Sequence, residues 1–99
     1  MATKNEAEKY LRDVAPERCF WVNNGPIVKN LDDLANVLPV ISDEIFNHHV
    51  NRKKNDFSNW INDVIGDKKL ANDLLSSRSK ESALKKIKDR VNSLKKKAG

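Results

Sequence analysis

The chain has 99 residues, of which 38% are apolar and 33% are charged, so it has enough apolar surface for one small core and too little length for two. No apolar run approaches the roughly 20 residues of a membrane-spanning helix, and a single cysteine excludes an internal disulfide. The first residues lack the apolar core of a secretory signal, so we expect a cytoplasmic protein that has no membrane partner.

The net charge of +5 is distributed unevenly along the chain. Residues 1–77 contain 10 basic and 12 acidic residues, whereas residues 78–99 contain 9 basic and 2 acidic residues. A nearly neutral body is therefore followed by a strongly basic segment. Such asymmetry indicates a polyanionic partner, with nucleic acid as the first candidate and an acidic membrane or protein surface as the second.

The first predicted element is a helix that begins at a capping box. Thr3 and Glu6 have the spacing at which each side chain accepts a hydrogen bond from the other's backbone amide. Apolar residues follow at helical spacing as far as Val14, and we expect Pro16 to end the helix.

A short β-hairpin is predicted next. Two β-prone runs, residues 19–22 and 27–29, flank an Asn-Gly turn. Phe20 and Trp21 point to opposite faces of a strand, so one faces the core and one faces away. An outward Trp21 would be a candidate contact for a protein partner or an unstacked base. We favour the alternative, in which the N-terminal helix covers Trp21, because large aromatic side chains are mostly buried.

Four further short helices are predicted, each by an N-cap residue followed by an apolar stripe. The caps are Asn30, Ser42, Asn55 or Asp56, and Asp67. Pro39 is expected to end the second helix, and Gly66 the fourth, because glycine readily adopts the left-handed conformation at a helix C-terminus.

A basic amphipathic helix is predicted at the C-terminus, after a polar linker at residues 76–79. Its narrow apolar stripe could dock on the body or pair with a second copy of the chain, although it is short for an independent coiled coil. The stripe consists of Leu84, Ile87, Val91 and Leu94. We therefore predict a mainly α fold in which residues 1–77 form a compact domain of five short helices and one β-hairpin, and residues 78–99 form a lysine-rich helix.

The hairpin and the segments after it share a pattern with a known family. The shared features are the aromatic hairpin at residues 20–28, Asn30-Leu31, His49-Val50-Asn51, Asn55-Asp56-Phe57-x-Asn59-Trp60-Ile61 and Gly66-Asp67-x-x-Leu70-Ala71. With these features, residues 20–75 resemble an uncharacterised domain family that occurs mainly in archaeal and some bacterial proteins. The resemblance implies a compact, mostly helical module that is sometimes joined to other domains. It implies no activity, and it does not include the basic residues 52–54 or the lysine-rich end.

No combination of residues in the sequence has the spacing of a catalytic or metal site. His48 and His49 are adjacent and point about 100° apart on a helix, and a zinc site would need two further ligands. Cys19 and His49 lack the third member and the oxyanion loop of a nucleophilic site. We therefore expect no metal, no cofactor and no enzymatic activity, and we expect His49 to be half-buried and hydrogen-bonded. A metal or redox protein that uses Cys19 and the histidines is the third and least favoured hypothesis.

The third and fourth helices have the approximate length of a helix-turn-helix unit. Asp56 at the start of the fourth helix would repel phosphate, although Asn59 could hydrogen-bond to adenine. The basic loop between the helices suits phosphate contacts better than base recognition.

The leading hypothesis is a non-enzymatic protein that binds the DNA or RNA backbone electrostatically and with weak sequence specificity. The predicted contacts on the C-terminal helix are Lys85, Lys86, Lys88, Arg90, Lys95, Lys96 and Lys97, and those in the loop are Arg52, Lys53 and Lys54. The alternative is a protein-interaction module in which Trp21 and the helical body hold a partner and the lysines serve solubility. Membrane binding is disfavoured because the apolar stripe of the basic helix lacks Trp and Phe.

Overall fold

The computed structural model describes residues 2–99, and in this range it has six α-helices and a two-stranded antiparallel sheet. The elements are α1 (Lys4–Leu11), β1 (Phe20–Trp21), β2 (Ile27–Val28), α2 (Leu31–Val37), α3 (Asp43–His49), α4 (Asp56–Trp60), α5 (Lys68–Leu74) and α6 (Lys80–Ala98). A 3₁₀ helix, Pro16–Arg18, precedes β1, and a π-helical segment, Ile61–Ile65, continues α4. The predicted fold class, mainly helical with one small hairpin and a long C-terminal helix, is confirmed.

Side-chain caps determine where the helices begin. The caps that the sequence predicts are confirmed at Thr3, Asn30, Ser42, Asn55 and Asp67. Ser79, which lies in the predicted linker, caps α6 by accepting a hydrogen bond from the Ser82 backbone N–H at 3.1 Å. Each cap satisfies an amide that the helix leaves without a partner, and such a cap typically contributes about 1 kcal/mol.

The first helix ends earlier than predicted. α1 ends at Leu11, and the backbone of Arg12 is already extended, with φ −72° and ψ 153°. The Val14 backbone N–H donates instead to the carbonyl oxygen of Lys29 at 2.8 Å. The expected helical position of Val14 is therefore wrong, because this residue pairs with the chain that follows β2.

The fourth helix changes its hydrogen-bonding pattern halfway along. After Trp60 the chain forms the π-helical segment Ile61–Ile65, which the Gly66 N–H closes by donating to the Ile61 carbonyl oxygen at 2.7 Å. Gly66 has φ 90°, which confirms the predicted left-handed helix end.

A single hydrophobic core includes residues from α6 as well as from the rest of the chain. α6 packs against α1, α2 and α5, so its stripe docks on the body. The buried residues of α6 are Ala83, Ile87, Val91 and Leu94, whereas Leu84 is only half-buried. The linker is anchored as well, because Ser77 is buried and its hydroxyl accepts a hydrogen bond from Ser82 Oγ at 3.2 Å.

The hairpin places one aromatic side chain in the core and the other in solvent. Phe20 pairs with Val28 and stacks on Phe57, with ring centroids 4.9 Å apart. Trp21 pairs with Ile27 on the opposite face, and it is 68% exposed. The expectation that the N-terminal helix covers Trp21 is therefore wrong, because α1 is short and packs mainly against α6.

Within residues 2–99, no helix is both long enough and apolar enough to cross a membrane.

Candidate nucleic-acid interface

Arg90, one of the predicted contacts on α6, is held by an ion pair with the body of the protein. Its Nε and one terminal nitrogen donate to the two carboxylate oxygens of Asp67 at 2.7 and 2.9 Å. The side chains of Arg90 and Asp67 are 12% and 1% exposed. Such a bidentate, charge-assisted pair fixes α6 to the start of α5. Because its charge is neutralised and its side chain is mostly buried, Arg90 is not available to an external phosphate.

Lys86 also bonds to the body of the protein. Its ammonium group donates to the Asp73 carbonyl oxygen at 3.0 Å and to Ser76 Oγ at 2.9 Å. These bonds satisfy groups at the C-terminal end of α5, where a cation is favourable for the helix dipole. Lys86 therefore helps to hold the chain between α5 and α6.

Two other lysines of α6 have exposed acidic partners. Lys85 pairs with Asp89 at 2.8 Å, and Lys95 pairs with Asp32 of α2 at 3.1 Å. The hydrogen bond to Asp89 raises the pKa of Lys85 above its ordinary value. Water screens exposed pairs of this kind, so both lysines can turn to an external phosphate at little cost.

Three predicted contacts on α6 face solvent without an acidic partner among residues 2–99. They are Lys88, Lys96 and Lys97, and all three are exposed. Lys96 and Lys97 border a shallow depression with Asp89, Asn92 and Ser93. Lysines in the last turn also suit the negative end of the helix dipole, which gives them a structural role as well.

The predicted basic loop is a tight turn between α3 and α4. The Asn51 N–H donates to the Lys54 carbonyl oxygen at 2.9 Å, and the side-chain oxygen of Asn51 accepts from the Lys53 N–H at 3.0 Å. Arg52 and Lys53 are the two central residues of this turn and are exposed, whereas the Lys54 ammonium donates to Asp56 at 2.9 Å. The turn is therefore held by its own backbone and side-chain bonds, and it presents two cations without acidic partners within the described residues.

Arg78, which is not among the contacts predicted from the sequence, lies beside this turn. Arg52 and Arg78 both line a cleft of about 360 Å³ and a smaller depression of about 240 Å³ next to it. The other residues around the cleft are Val50, Asn51, Lys53, Lys54, Asn55, Asn59 and Leu75. No pattern of neighbouring residues predicts that Arg78 lies near this turn, because the packing of α5 and α6 brings it there.

His49 and Asp56 form a hydrogen-bonded network under the basic turn. His49 is 5% exposed, Nε2 accepts from the Asn23 backbone N–H at 3.0 Å, and Nδ1 donates to Asp56 Oδ2 at 3.0 Å. The expected hydrogen bond of His49 is confirmed, although the ring is buried more fully than expected. Both ring nitrogens are engaged, so neither is free to bind a metal or to act as a base.

The charge of Asp56 is stabilised by this network. Burial raises the pKa of Asp56, but hydrogen bonds from Lys54 and His49 outweigh burial and hold the pKa below its ordinary value. Within residues 2–99, no cluster of His, Cys, Asp and Glu has the arrangement of a metal site.

α4, the recognition helix of the helix-turn-helix hypothesis, has few side chains that could contact bases. α4 has five residues, and Phe57, Ser58 and Trp60 are buried. Asn59 is the exposed amide of this helix, and it faces the same cleft as Arg52.

No protein-family profile, curated protein or solved structure matches this chain. The family resemblance over residues 20–75 therefore stays an expectation.

Proposed function

We propose that this protein binds the phosphate backbone of DNA or RNA through the solvent-facing lysines of α6, with weak sequence specificity and without catalysing a reaction. The observation that supports the proposal best is the group of exposed lysines that have no acidic partner among residues 2–99, namely Lys88, Lys96 and Lys97. Lys85 and Lys95 join them, because exposed ion pairs are exchanged for phosphate at little cost. The proposal includes a cytoplasmic location.

The number of available lysines predicts how binding depends on salt. If these five lysines each neutralise a phosphate of duplex DNA, the logarithm of the affinity should fall with the logarithm of the salt concentration at a slope of about −4.5. Including Lys86 and Arg90 would predict a slope of about −6.3. A fluorescence anisotropy titration between about 50 and 200 mM salt distinguishes these values, because counterion release dominates affinity in this range.

A charge-matched comparison tests the position of the interface. The variant K88Q/K96Q/K97Q should bind duplex DNA and RNA at least about tenfold more weakly and flatten the salt slope by about 2.7. The control K4Q/K9Q/K68Q removes three exposed lysines of α1 and α5, which also have no acidic partners among residues 2–99. It should retain most of the affinity. Equal losses in the two variants would show that net charge alone, and not α6, determines binding.

The alternative function, a protein-interaction module, is favoured by a different observation. Trp21 and Ile27 are paired across the hairpin and are both exposed, so they form a small apolar surface on its outer face. Exposed aromatic residues are enriched at protein interfaces. If the protein shows no salt-dependent binding to DNA or RNA at about 50 mM salt, where screening is weak, the nucleic-acid proposal fails and this alternative replaces it.

A further inference from the structure

The cleft between the basic turn and the start of α6 is separate from the lysines at the C-terminal end of that helix. The turn at residues 51–54 forms one side of the cleft, and Leu75 and Arg78 from the connection between α5 and α6 form another. α6 has 19 residues, so its two ends are about 28 Å apart. A ligand in the cleft is therefore held by different residues from those proposed above.

The cleft has a positive charge that the protein does not neutralise. Arg52, Lys53 and Arg78 have no acidic partner among residues 2–99, and all three are exposed. No acidic residue is among those around the cleft, and the charge of Asp56, which follows Asn55, is already balanced by Lys54 and hydrogen-bonded by His49. Two guanidinium groups beside one cavity suit a phosphate group, because each can donate two parallel hydrogen bonds to it.

The backbone around the two arginines is well fixed. The turn that carries Arg52 is closed by its own hydrogen bonds. On the other side, the residue before Arg78 is the buried Ser77, whose N–H donates to the Leu74 carbonyl oxygen at 3.0 Å. A site of this kind loses little backbone entropy on binding, since its backbone is already ordered.

Two further residues of the cleft suit a nucleobase. Leu75 is 60% exposed although Leu74 beside it is buried, so it presents an apolar surface next to the arginines. The exposed side chain of Asn59 has donors and an acceptor that can pair with the edge of a base. A free phosphate would use only the arginines, whereas a nucleotide would use all of these residues.

We propose that this cleft binds an unpaired nucleotide of a single-stranded nucleic acid, with the phosphate held by Arg52 and Arg78 and the base lying against Leu75 and Asn59. The class of ligand, a nucleic acid, is taken from the proposed function, so the inference rests on it to that extent. The position of the site is independent of it. A duplex fits less well, because its bases are stacked inside the helix and do not reach Leu75 while the backbone lies in the cleft. Single strands expose both the charge and the flat face of each base.

Three fluorescent probes and one pair of matched variants test the inference. The probes are a single-stranded tetranucleotide, an abasic strand of the same length, and a 12-base-pair duplex, with binding followed by anisotropy. R52Q/R78Q should bind the tetranucleotide at least about tenfold more weakly, because it removes two charge-assisted contacts. The control R12Q/K68Q removes the same charge from exposed positions outside the cleft and should change the affinity less than about twofold.

A second variant separates recognition of the base from recognition of the phosphate. L75S/N59A changes two exposed side chains, so we expect it to fold normally. It should weaken binding of the tetranucleotide several-fold and leave binding of the abasic strand unchanged. Equal effects on the two strands would overturn the assignment of the base to Leu75 and Asn59.

The outcome also separates this inference from the proposed function. If K88Q/K96Q/K97Q abolishes binding of the tetranucleotide and R52Q/R78Q does not, the inference fails and the proposal for α6 stands. If R52Q/R78Q weakens binding of the duplex as strongly as binding of the single strand, the proposed preference for an unpaired nucleotide is wrong. If the protein binds none of the probes at about 50 mM salt, where electrostatic contacts are least screened, both fail.

Discussion

Replacing Arg90 by methionine tests the strongest link between α6 and the body. The side chain of Asp67 is 1% exposed, and both of its carboxylate oxygens accept hydrogen bonds from Arg90. Removing one partner of a buried ion pair leaves an uncompensated charge, which typically costs about 3–5 kcal/mol. A domain of this size is stable by about 5–15 kcal/mol, so R90M should lose a large part of its free energy of unfolding.

Urea denaturation followed by circular dichroism measures this loss. With a slope of about 1–3 kcal/mol per molar urea, R90M should lower the midpoint by about 1–5 M. The double variant D67S/R90M removes the buried charge and keeps a hydroxyl that can cap α5, so it should recover most of the loss. A loss below about 1 kcal/mol in R90M, or a double variant no more stable than R90M, would refute the argument that the buried charge is responsible.

Three further predictions follow from the described contacts. D56N removes the negative charge to which Lys54 and His49 both bond and should cost about 1–2 kcal/mol at neutral pH. Because the pKa of Asp56 is held below its ordinary value, this stability is present above about pH 4 and is lost as the pH falls through the lowered pKa, so D56N and the wild type should converge in acid. G66A should lose about 1–2 kcal/mol in thermal unfolding, because Gly66 has φ 90°. Removing residues 78–99 exposes the core beneath three large buried side chains, worth roughly 5–9 kcal/mol, and leaves Asp67 without its counter-charge. We therefore expect the truncated chain to show no cooperative unfolding, and a cooperative transition would support residues 1–77 as a domain.

The starts of the helices could be predicted from the sequence because capping is a local interaction. An Asn, Ser, Thr or Asp side chain bonds an amide three residues later, so the residues that determine the cap lie in one short segment. Asn30 and Asn55 are examples, with hydrogen bonds of 2.7 and 3.0 Å to the backbone amides of Asp33 and Ser58. The apolar stripes are local in the same way, which explains why the fold class could be predicted.

The features that the sequence did not predict depend on contacts between distant residues. α1 ends early because Val14 bonds to Lys29, and Trp21 is exposed because α1 packs against α6 and not over the hairpin. The pairing of Asp67 with Arg90 joins residues that are 23 positions apart. Neither composition nor periodicity contains this information, since both describe neighbours along the chain and not across the core.

Contacts between distant residues also determine which basic residues of α6 are bonded to the body and which face solvent. A helix that docks on a body has one buried face, two flanks and one outer face, and cations on the flanks meet the groups of neighbouring helices. Arg90 and Lys86 lie against the α5 side, whereas Lys95 meets Asp32 of α2. The net charge of a segment therefore indicates the sign of its partner, but packing decides how many of its cations remain for that partner. In residues 78–99 the exposed cations without an acidic partner among residues 2–99 lie in two places, on the outer face of α6 and, at Arg78, beside the cleft that Arg52 lines. The polyanion that we propose would therefore have two separate surfaces to contact.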